Sequence, residues 1–267
     1  MDDIFLIDTH THLYDGAFDG ERHEAVARAA AAGVGRMYLP AIDSGSHEAM
    51  LAMCREYPGA CFPMMGLHPT SVNDNPHYRE ELAIVGDYLA RAAAGKGPRF
   101  YAVGEVGLDL YWSRDYFGRQ LEVFGRQVDM SLEYGLPLVI HTRDAWPEMR
   151  AALSAWAGKG IRGIMHSFSG DYDDYEAIAS FGDFLFGFGG VVTFKNGGME
   201  DIVSRIPLGQ IVLETDAPYL TPAPHRGKRN ESAYLPLICE RIAQIKGATA
   251  QEVAQATTAN ALRMFGG

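Results

Sequence analysis

The sequence predicts a single (β/α)8 barrel spanning residues 1–267, and three observations carry that expectation. The chain has 267 residues, close to the size of roughly 250 typical of one such barrel. Short apolar runs alternate with longer amphipathic stretches from one end to the other, the pattern of a parallel sheet built from strand–helix units. Histidines and carboxylates recur where the apolar runs stop, and in a barrel the C-terminal strand ends converge on the face that carries the active site. An open, doubly wound sheet shares the alternation and is the alternative architecture.

Taken in order, the strand candidates are 4–9, 36–41, 61–67, 100–106, 137–141, 162–166, 184–189 and 210–214. Helix candidates between them include 23–32, 47–57, 79–94 and 116–134. In the last of these Phe117, Leu121, Phe124, Val128 and Leu132 recur at three- and four-residue steps and mark one buried face. Gly135 and Pro137 then end the helix and open the next strand. A further helix is expected at 249–265, with Thr249 as N-cap and Glu252 three residues on completing a capping box. The longest irregular stretch, 216–232, is rich in proline and basic residues, and a loop of that length in a compact domain is usually functional or disordered.

Composition narrows the function. A hydrophobic fraction of 47% and a charged fraction of 21% are ordinary for a soluble enzyme. The net charge of −11, from 23 basic and 34 acidic side chains, speaks against a non-specific binder of long duplex DNA, which needs a broad basic face. Any nucleic acid handled here meets a local basic patch or is short. Cys54, Cys61 and Cys239 show no CxxC pairing and read as buried or partly buried free thiols of a reducing compartment. The N-terminus, Met-Asp-Asp-Ile, lacks a signal-peptide pattern. No apolar run approaches the roughly 20 residues of a membrane helix. The expected address is the cytoplasm, with no membrane and no obligate protein partner.

The chemistry starts at Asp8-Thr-His10-Thr-His12, at the end of the first strand candidate. A period of two puts Asp8, His10 and His12 on one side, and two imidazoles two residues apart can chelate one ion. Such a pair arises easily by chance, so the other strand ends decide. Glu105 follows Val103-Gly104, His141 closes Leu138-Val139-Ile140, His166 closes Gly163-Ile164-Met165, and Asp216 follows the run 211–215. Imidazole nitrogen and carboxylate oxygen without thiolate suit zinc, manganese or iron, and a more oxygen-rich site suits magnesium. One catalytic zinc usually keeps three protein ligands. Six candidates, His10, His12, Glu105, His141, His166 and Asp216, are better explained by two divalent ions (Mg, Mn or Zn) that share one carboxylate.

Around that set, His68 in Gly66-Leu67-His68-Pro69 lies at the third strand end and is expected to face the substrate. Arg143 and the basic run His225-Arg226-Gly227-Lys228-Arg229 offer forks and charges for phosphate, with Arg226, Lys228 and Arg229 as the contacts. Glu214 is expected to orient a ligand from behind. Asp109 and Asp144 either assist the site or cap the helices that follow. His23, His47 and His77 fall away from strand ends and read as surface residues.

Several separate segments, in order, resemble the TatD-type metal-dependent hydrolases, often called TatD DNases. They are DTHTHL at 8–13, GLHP at 66–69, GEVGLD at 104–109, PLVIHTRDA at 137–145, HSFSG at 166–170, GVVTFKN at 190–196 and LETDAPYL at 213–220, followed by HRGKRNE and NALRMF. The resemblance covers essentially the whole chain. It implies a (β/α)8 barrel with a two-metal centre in which His10, His12 and Asp216 hold one ion, His141 and His166 hold the other, and Glu105 bridges. It also implies a metal-dependent deoxyribonuclease of the 3′–5′ exonuclease type, acting on a nucleic acid presented single-stranded or by a chain end. Asp216 is the expected acceptor of the attacking water's proton. Ser167 stands where a cysteine is common in the family and Ser232 where the tail often has proline. Two other readings share the architecture: a hydrolase of amides or esters on a small molecule, and a binding protein that has kept the barrel and lost the chemistry.

Overall fold

A computed structural model describes residues 5–266. Eight parallel strands alternate with eight helices, and a ninth helix follows. The strands are β1 (Leu6–Asp8), β2 (Val34–Pro40), β3 (Cys61–Met64), β4 (Val103–Asp109), β5 (Leu138–Arg143), β6 (Arg162–Met165), β7 (Asp183–Phe188) and β8 (Ile211–Leu213). The helices are α1 (Arg22–Ala31), α2 (Ser44–Glu56), α3 (Tyr78–Ala93), α4 (Phe117–Tyr134), α5 (Trp146–Ser154), α6 (Tyr172–Phe181), α7 (Met199–Arg205), α8 (Leu235–Lys246) and α9 (Ala250–Phe265).

The ladders join β1–β2–β3 and β4 through β8, and two isolated parallel bridges, Met65 with Val103 and Thr11 with Ala217, close the ring. At the β8–β1 seam Thr9 N–H donates to Leu213 O at 3.0 Å and Asp216 N–H to His10 O at 2.9 Å. Asp8 completes the seam. Its carboxylate accepts from the Thr215 hydroxyl at 2.6 Å and the Thr215 amide at 2.9 Å. The expected sharing of one side by Asp8, His10 and His12 is therefore corrected. The strand ends at Asp8, so strict alternation stops there, and Asp8 turns to the neighbouring strand.

The interior explains the register. Ile7, Tyr38, Met64, Ala102, Val139, Ile164, Leu185 and Val212 form one buried cluster, a residue from each strand in turn except that Ala102 immediately precedes β4. Ala261, Met264 and Phe265 of α9 join it, with Phe265 stacked on Tyr38 at 3.8 Å between ring centroids, so α9 plugs one end of the barrel. A larger cluster, including Leu6, Met37, Val106, Ile140, Phe186 and Leu213, fills the shell between strands and helices. This division follows from side chains alternating between the two faces of a strand.

Helix α4 is rotated from the expected face. Val123, Phe124 and Val128 are buried, but so are Gln120, Gln127 and Ser131, whereas Leu121 is exposed. The glutamines are spent on backbone groups that the barrel leaves unpaired. Gln120 accepts from Asp109 N–H and donates to Asp109 O, both at 2.8 Å. Gln127 accepts from Leu67 N–H at 2.8 Å and donates to Leu67 O at 3.1 Å. Buried amides are tolerated when paired in this way, and these two pin the strand ends that carry Asp109 and His68. Strand β4 begins three residues later than expected and runs on to Asp109. The stretch 216–232 is ordered by Asn230, fully buried, whose amide donates to Thr215 O and Tyr219 O at 2.8 and 2.6 Å. Arg28 of α1 grips Glu231 through two nitrogens. The three cysteines are free thiols, two buried and Cys54 partly so. Among the described residues no helix is long and apolar enough to cross a membrane.

Candidate metal centre

The strand register delivers the polar groups. His141 and His166 lie two residues beyond the interior residues Val139 and Ile164, on the same parity, and Glu214 lies two beyond Val212. Glu105 reaches the interior by another route. The β4–β5 register slips between Gly104 and Val106, so Glu105 is the extra residue of a bulge, a device that re-aims a side chain. Gly187, two beyond Leu185, leaves room for an acid: a Cβ there would stand 2.2 Å from Glu214 Oε2. Asp216 adopts a left-handed backbone with φ of 56°, uncommon for a residue with a Cβ, as the chain turns out of β8.

Glu105 sits at the middle, with its two oxygens facing different imidazoles. Oε2 is 3.1 Å from His10 Nε2 and 3.8 Å from His12 Nε2. Oε1 is 3.1 Å from His141 Nδ1, 3.4 Å from His68 Nε2 and 3.9 Å from His166 Nε2. Asp216 Oδ1 lies 3.5 Å from His12 Nε2, 3.8 Å from His166 Nε2 and 3.9 Å from His10 Nε2. Three overlapping groups have ligand atoms close enough for one ion each: His10, His12 and Glu105; His10, His166 and Asp216; and His68, Glu105 and His141.

The donor set fits divalent cations. His12 Nδ1 lies 2.9 Å from the Tyr14 hydroxyl, which itself donates to Pro40 O at 2.6 Å. The hydroxyl proton being spent on Pro40, His12 Nδ1 must donate, which in the neutral imidazole leaves Nε2 as a lone pair. That lone pair stands 3.2 Å from His10 Nε2. Two nitrogens each about 2.1 Å from one ion stand about 3.0–3.4 Å apart for bite angles between a right angle and the tetrahedral one. His141 is held from behind by Asp109, whose Oδ2 is 2.9 Å from Nε2, and His166 by Glu214, 3.1 Å from Nδ1. Glu214 in turn accepts from the Ser167 amide at 2.6 Å. Carboxylate-backed imidazoles are the usual support of metal sites.

Protonation follows from these neighbours. Burial pushes Glu105 up, but His10, His68 and the hydrogen bonds from His10 and His141 outweigh it and hold the carboxyl well below its usual range. Asp216 is held down in the same way against burial, by His12, His166 and His10. Burial works against charge on His141, yet Asp109 and Glu105 raise it to about 9. For His166, Glu214, Asp216 and Glu105 win over burial and raise it to about 10. His10, desolvated and facing His166, is lowered, and burial lowers His68.

A family model described as TatD related DNase matches residues 7–266. The chain belongs to the TatD-related DNase family. It is 35% identical over 261 residues to an uncharacterized metal-dependent hydrolase, YabD, of Bacillus subtilis strain 168, covering 97% of this chain and 98% of that one. It is 32% identical to the 3′-5′ ssDNA/RNA exonuclease TatD of Pectobacterium parmentieri strain WPP163, covering 97% and 99%. The crystal structure of YjjV, a TatD homolog from Escherichia coli K12, superposes with a TM-score of 0.88 at 28% identity over 99% of both chains. These likenesses make the protein a metal-dependent hydrolase with a (β/α)8 barrel.

In this TatD-family chain the centre lies at the bottom of a cleft of about 730 Å³ lined by His12, His68, Glu105, His141, His166 and Asp216, with Trp112, Arg143 and Tyr219 above. His68 and Arg143 thus reach the cleft. The basic run does not gather there, and the expectation for it is corrected. Arg229 donates to Ala17 O at 2.7 Å and to Glu21 at 2.8 Å, tying the loop after β8 to the loop after β1. Arg226 lies 3.9 Å over the Phe194 ring and borders a separate depression beside Thr193 and Lys195. Lys228 is exposed outside the cleft, and its carbonyl accepts from Thr221. His47, expected at the surface, is buried between α2 and α3, its ring edge-on to Tyr88 at 5.2 Å. His23 and His77 are exposed. Asp144 has its backbone carbonyl bonded to Arg114 and takes no part in the centre. Ser167 and Ser232 lie outside the three candidate ligand groups. Tyr14 and Gly187 are supporting residues without a sequence signal of their own. Asp109 had one, its place in the loop expected after the fourth strand, although it closes β4 itself.

Proposed function

We propose that the chain is a two-ion phosphodiesterase that removes nucleotides from a 3′ end of single-stranded nucleic acid. The observation that carries the proposal is the division of Glu105, one oxygen beside His10 and His12 and the other beside His141, His68 and His166. A carboxylate so placed can be shared by two ions, with His10, His12 and Asp216 completing one set and His141 and His166 the other. When bound, such a pair of ions acidifies water and neutralises charge on the phosphoryl oxygens during in-line displacement. The substrate class rests on relatives named as 3′-5′ ssDNA/RNA exonucleases.

The chain's own residues supply the rest. Asp216 is held ionised and is the most open carboxylate of the centre, with 17% of its side chain exposed against 4% for Glu105. It is placed to accept the proton of the attacking water. His68, whose Nδ1 lies 2.6 Å from the Thr70 hydroxyl, and Arg143 at the rim orient the phosphate. Metal-stripped protein titrated separately with magnesium, manganese and zinc should cleave a 5′-labelled single-stranded oligonucleotide stepwise from its 3′ end. Folded Glu105→Ala should neither bind the ions nor cleave. Metal binding and cleavage retained by that variant would overturn the shared-carboxylate reading. Hydrolysis of esters or amides without any cleavage of phosphodiesters would overturn the substrate class.

A further inference from the structure

Exposed large apolar side chains concentrate around the mouth of the cleft. Seven large apolar side chains stand exposed among the described residues, and four of them, Tyr111, Trp112, Tyr219 and Leu220, belong to the loops after β4 and β8. With eight strands in the ring, these two loops face each other across the barrel mouth. Trp112 is 67% exposed and Tyr219 55%, and both line the cleft that ends on the metal centre. An isolated exposed aromatic needs no explanation, but a concentration of them at one rim marks a binding surface.

The arrangement on the β4 side is built rather than loose. The Tyr111 amide donates to Asp109 Oδ1 at 3.1 Å, and the other oxygen of that carboxylate lies 2.9 Å from His141. The loop that presents the aromatics is therefore tied to the same acid that supports a candidate metal ligand. Tyr111 meets Trp112 edge-to-face, with ring centroids 5.0 Å apart and planes at 85°. The Arg143 guanidinium lies 3.7 Å over the Tyr111 ring and 5.8 Å from that of Trp112. Arg143 is thus held closest to Tyr111, while among the described residues no aromatic ring stacks face to face on the indole of Trp112, which is largely exposed.

Resting on the phosphodiesterase reading, we propose that Trp112 is a stacking platform for one unpaired nucleobase of the substrate strand, with Arg143 taking the adjoining phosphate. An open indole beside a fixed guanidinium complements a flat π-surface next to a diester anion. Stacking of bases on aromatic side chains is the sequence-tolerant device of single-strand binders. A net charge of −11 gives little electrostatic hold on a polyanion, so affinity must come from the base face. In a duplex that face is occupied by its neighbours, and the platform selects single strands.

The test compares 12-mer oligonucleotides that are intact with ones carrying a tetrahydrofuran abasic residue at each of the last three 3′ positions in turn, using the metal-loaded enzyme. At one position the wild type should prefer the intact base by about 5- to 150-fold in kcat/KM. Trp112→Ala should erase that preference, Trp112→Leu should behave like it, and Trp112→Phe should restore most of it. In parallel, oligonucleotide added in excess chelator should quench tryptophan fluorescence in the wild type and lose that quenching in Trp112→Phe. Cleavage with an unchanged intact-over-abasic preference in Trp112→Ala would overturn the platform and leave the phosphodiesterase standing. No cleavage of any phosphodiester by the wild type would overturn both.

Discussion

At pH 7 the metal-free centre holds protons on two of the proposed ligands. His141, between Asp109 and Glu105, and His166, against Glu214, are raised to about 9 and about 10, so both are charged. The carboxylates of Glu105 and Asp216 are ionised and His10 is held neutral, so none of these has a proton to give up. If two ions bind as proposed, they should therefore respond to pH differently. On the proposed division of ligands, an ion held by His141 and His166 must displace two protons, since only neutral imidazole binds a metal. Each proton is worth about 1.36 kcal/mol per pH unit. Affinity at that site should rise about a hundredfold, or about 2.7 kcal/mol, per unit between pH 7 and 8 and level off above about 9 to 10. The sign for folding is opposite. A histidine whose pKa is raised in the folded state stabilises it fully below its unfolded value near 6.5, and that contribution disappears as pH rises through 9 to 10. Stripped protein should lose stability towards alkaline pH while the loaded form gains on it. Calorimetric titration with manganese at pH 7, in buffers of differing ionisation enthalpy, should report about two protons released with one ion. Release of less than about half a proton would refute the assignment of His141 and His166 as ligands.

Two more predictions probe opposite ends of the barrel. Gly187→Ala sets a methyl against the Glu214 carboxylate and should displace it from His166, lowering metal affinity about 10- to 100-fold by the same titration while the fold stays intact by circular dichroism. Phe265→Ala removes the ring stacked on Tyr38 at the closed end and should cost about 3–5 kcal/mol in urea denaturation, with metal affinity unchanged in the folded fraction.

The places of His141 and His166 in the cleft were legible because a strand's parity is. Residues 139 and 141, or 164 and 166, differ by one full period, so an apolar run that faces the interior must deliver its terminal histidine to the same side. What was not legible depends on departures from that period or on partners distant in sequence. Glu105 arrives through a bulge and Asp8 turns away because its strand stops. Neither event has a signature in the local pattern. Gln120 and Gln127 lie outside the apolar set that marks the expected face of α4, and their bonds to the backbone of Asp109 and Leu67 account for their burial. Arg229 looked free for phosphate because Glu21, which it meets at 2.8 Å, lies 208 residues earlier. A histidine in a helix was read as exposed, and His47 shows that imidazole packs well enough against an aromatic ring to be buried.

The same register that closes the hydrophobic interior also makes the centre possible. From β4 to β8 each strand places one apolar residue, just before its start or within it, in the cluster that α9 seals, and the position two residues further on holds a proposed ligand, its support or a glycine. His141, His166 and Glu214 occupy it on β5, on β6 and beyond β8, while Gly104 and Gly187 occupy it on β4 and β7. A Cβ on Gly104 would stand 2.7 Å from Val139 Cβ and one on Gly187 would enter the Glu214 carboxylate, so one glycine makes room for the apolar layer and the other for the acid above it. Core and centre are consecutive layers of one packing problem. Inserting a single residue between Val139 and His141 would therefore leave the hydrophobic layer whole and turn His141 out of the barrel, because a one-residue slip exchanges the faces of a strand.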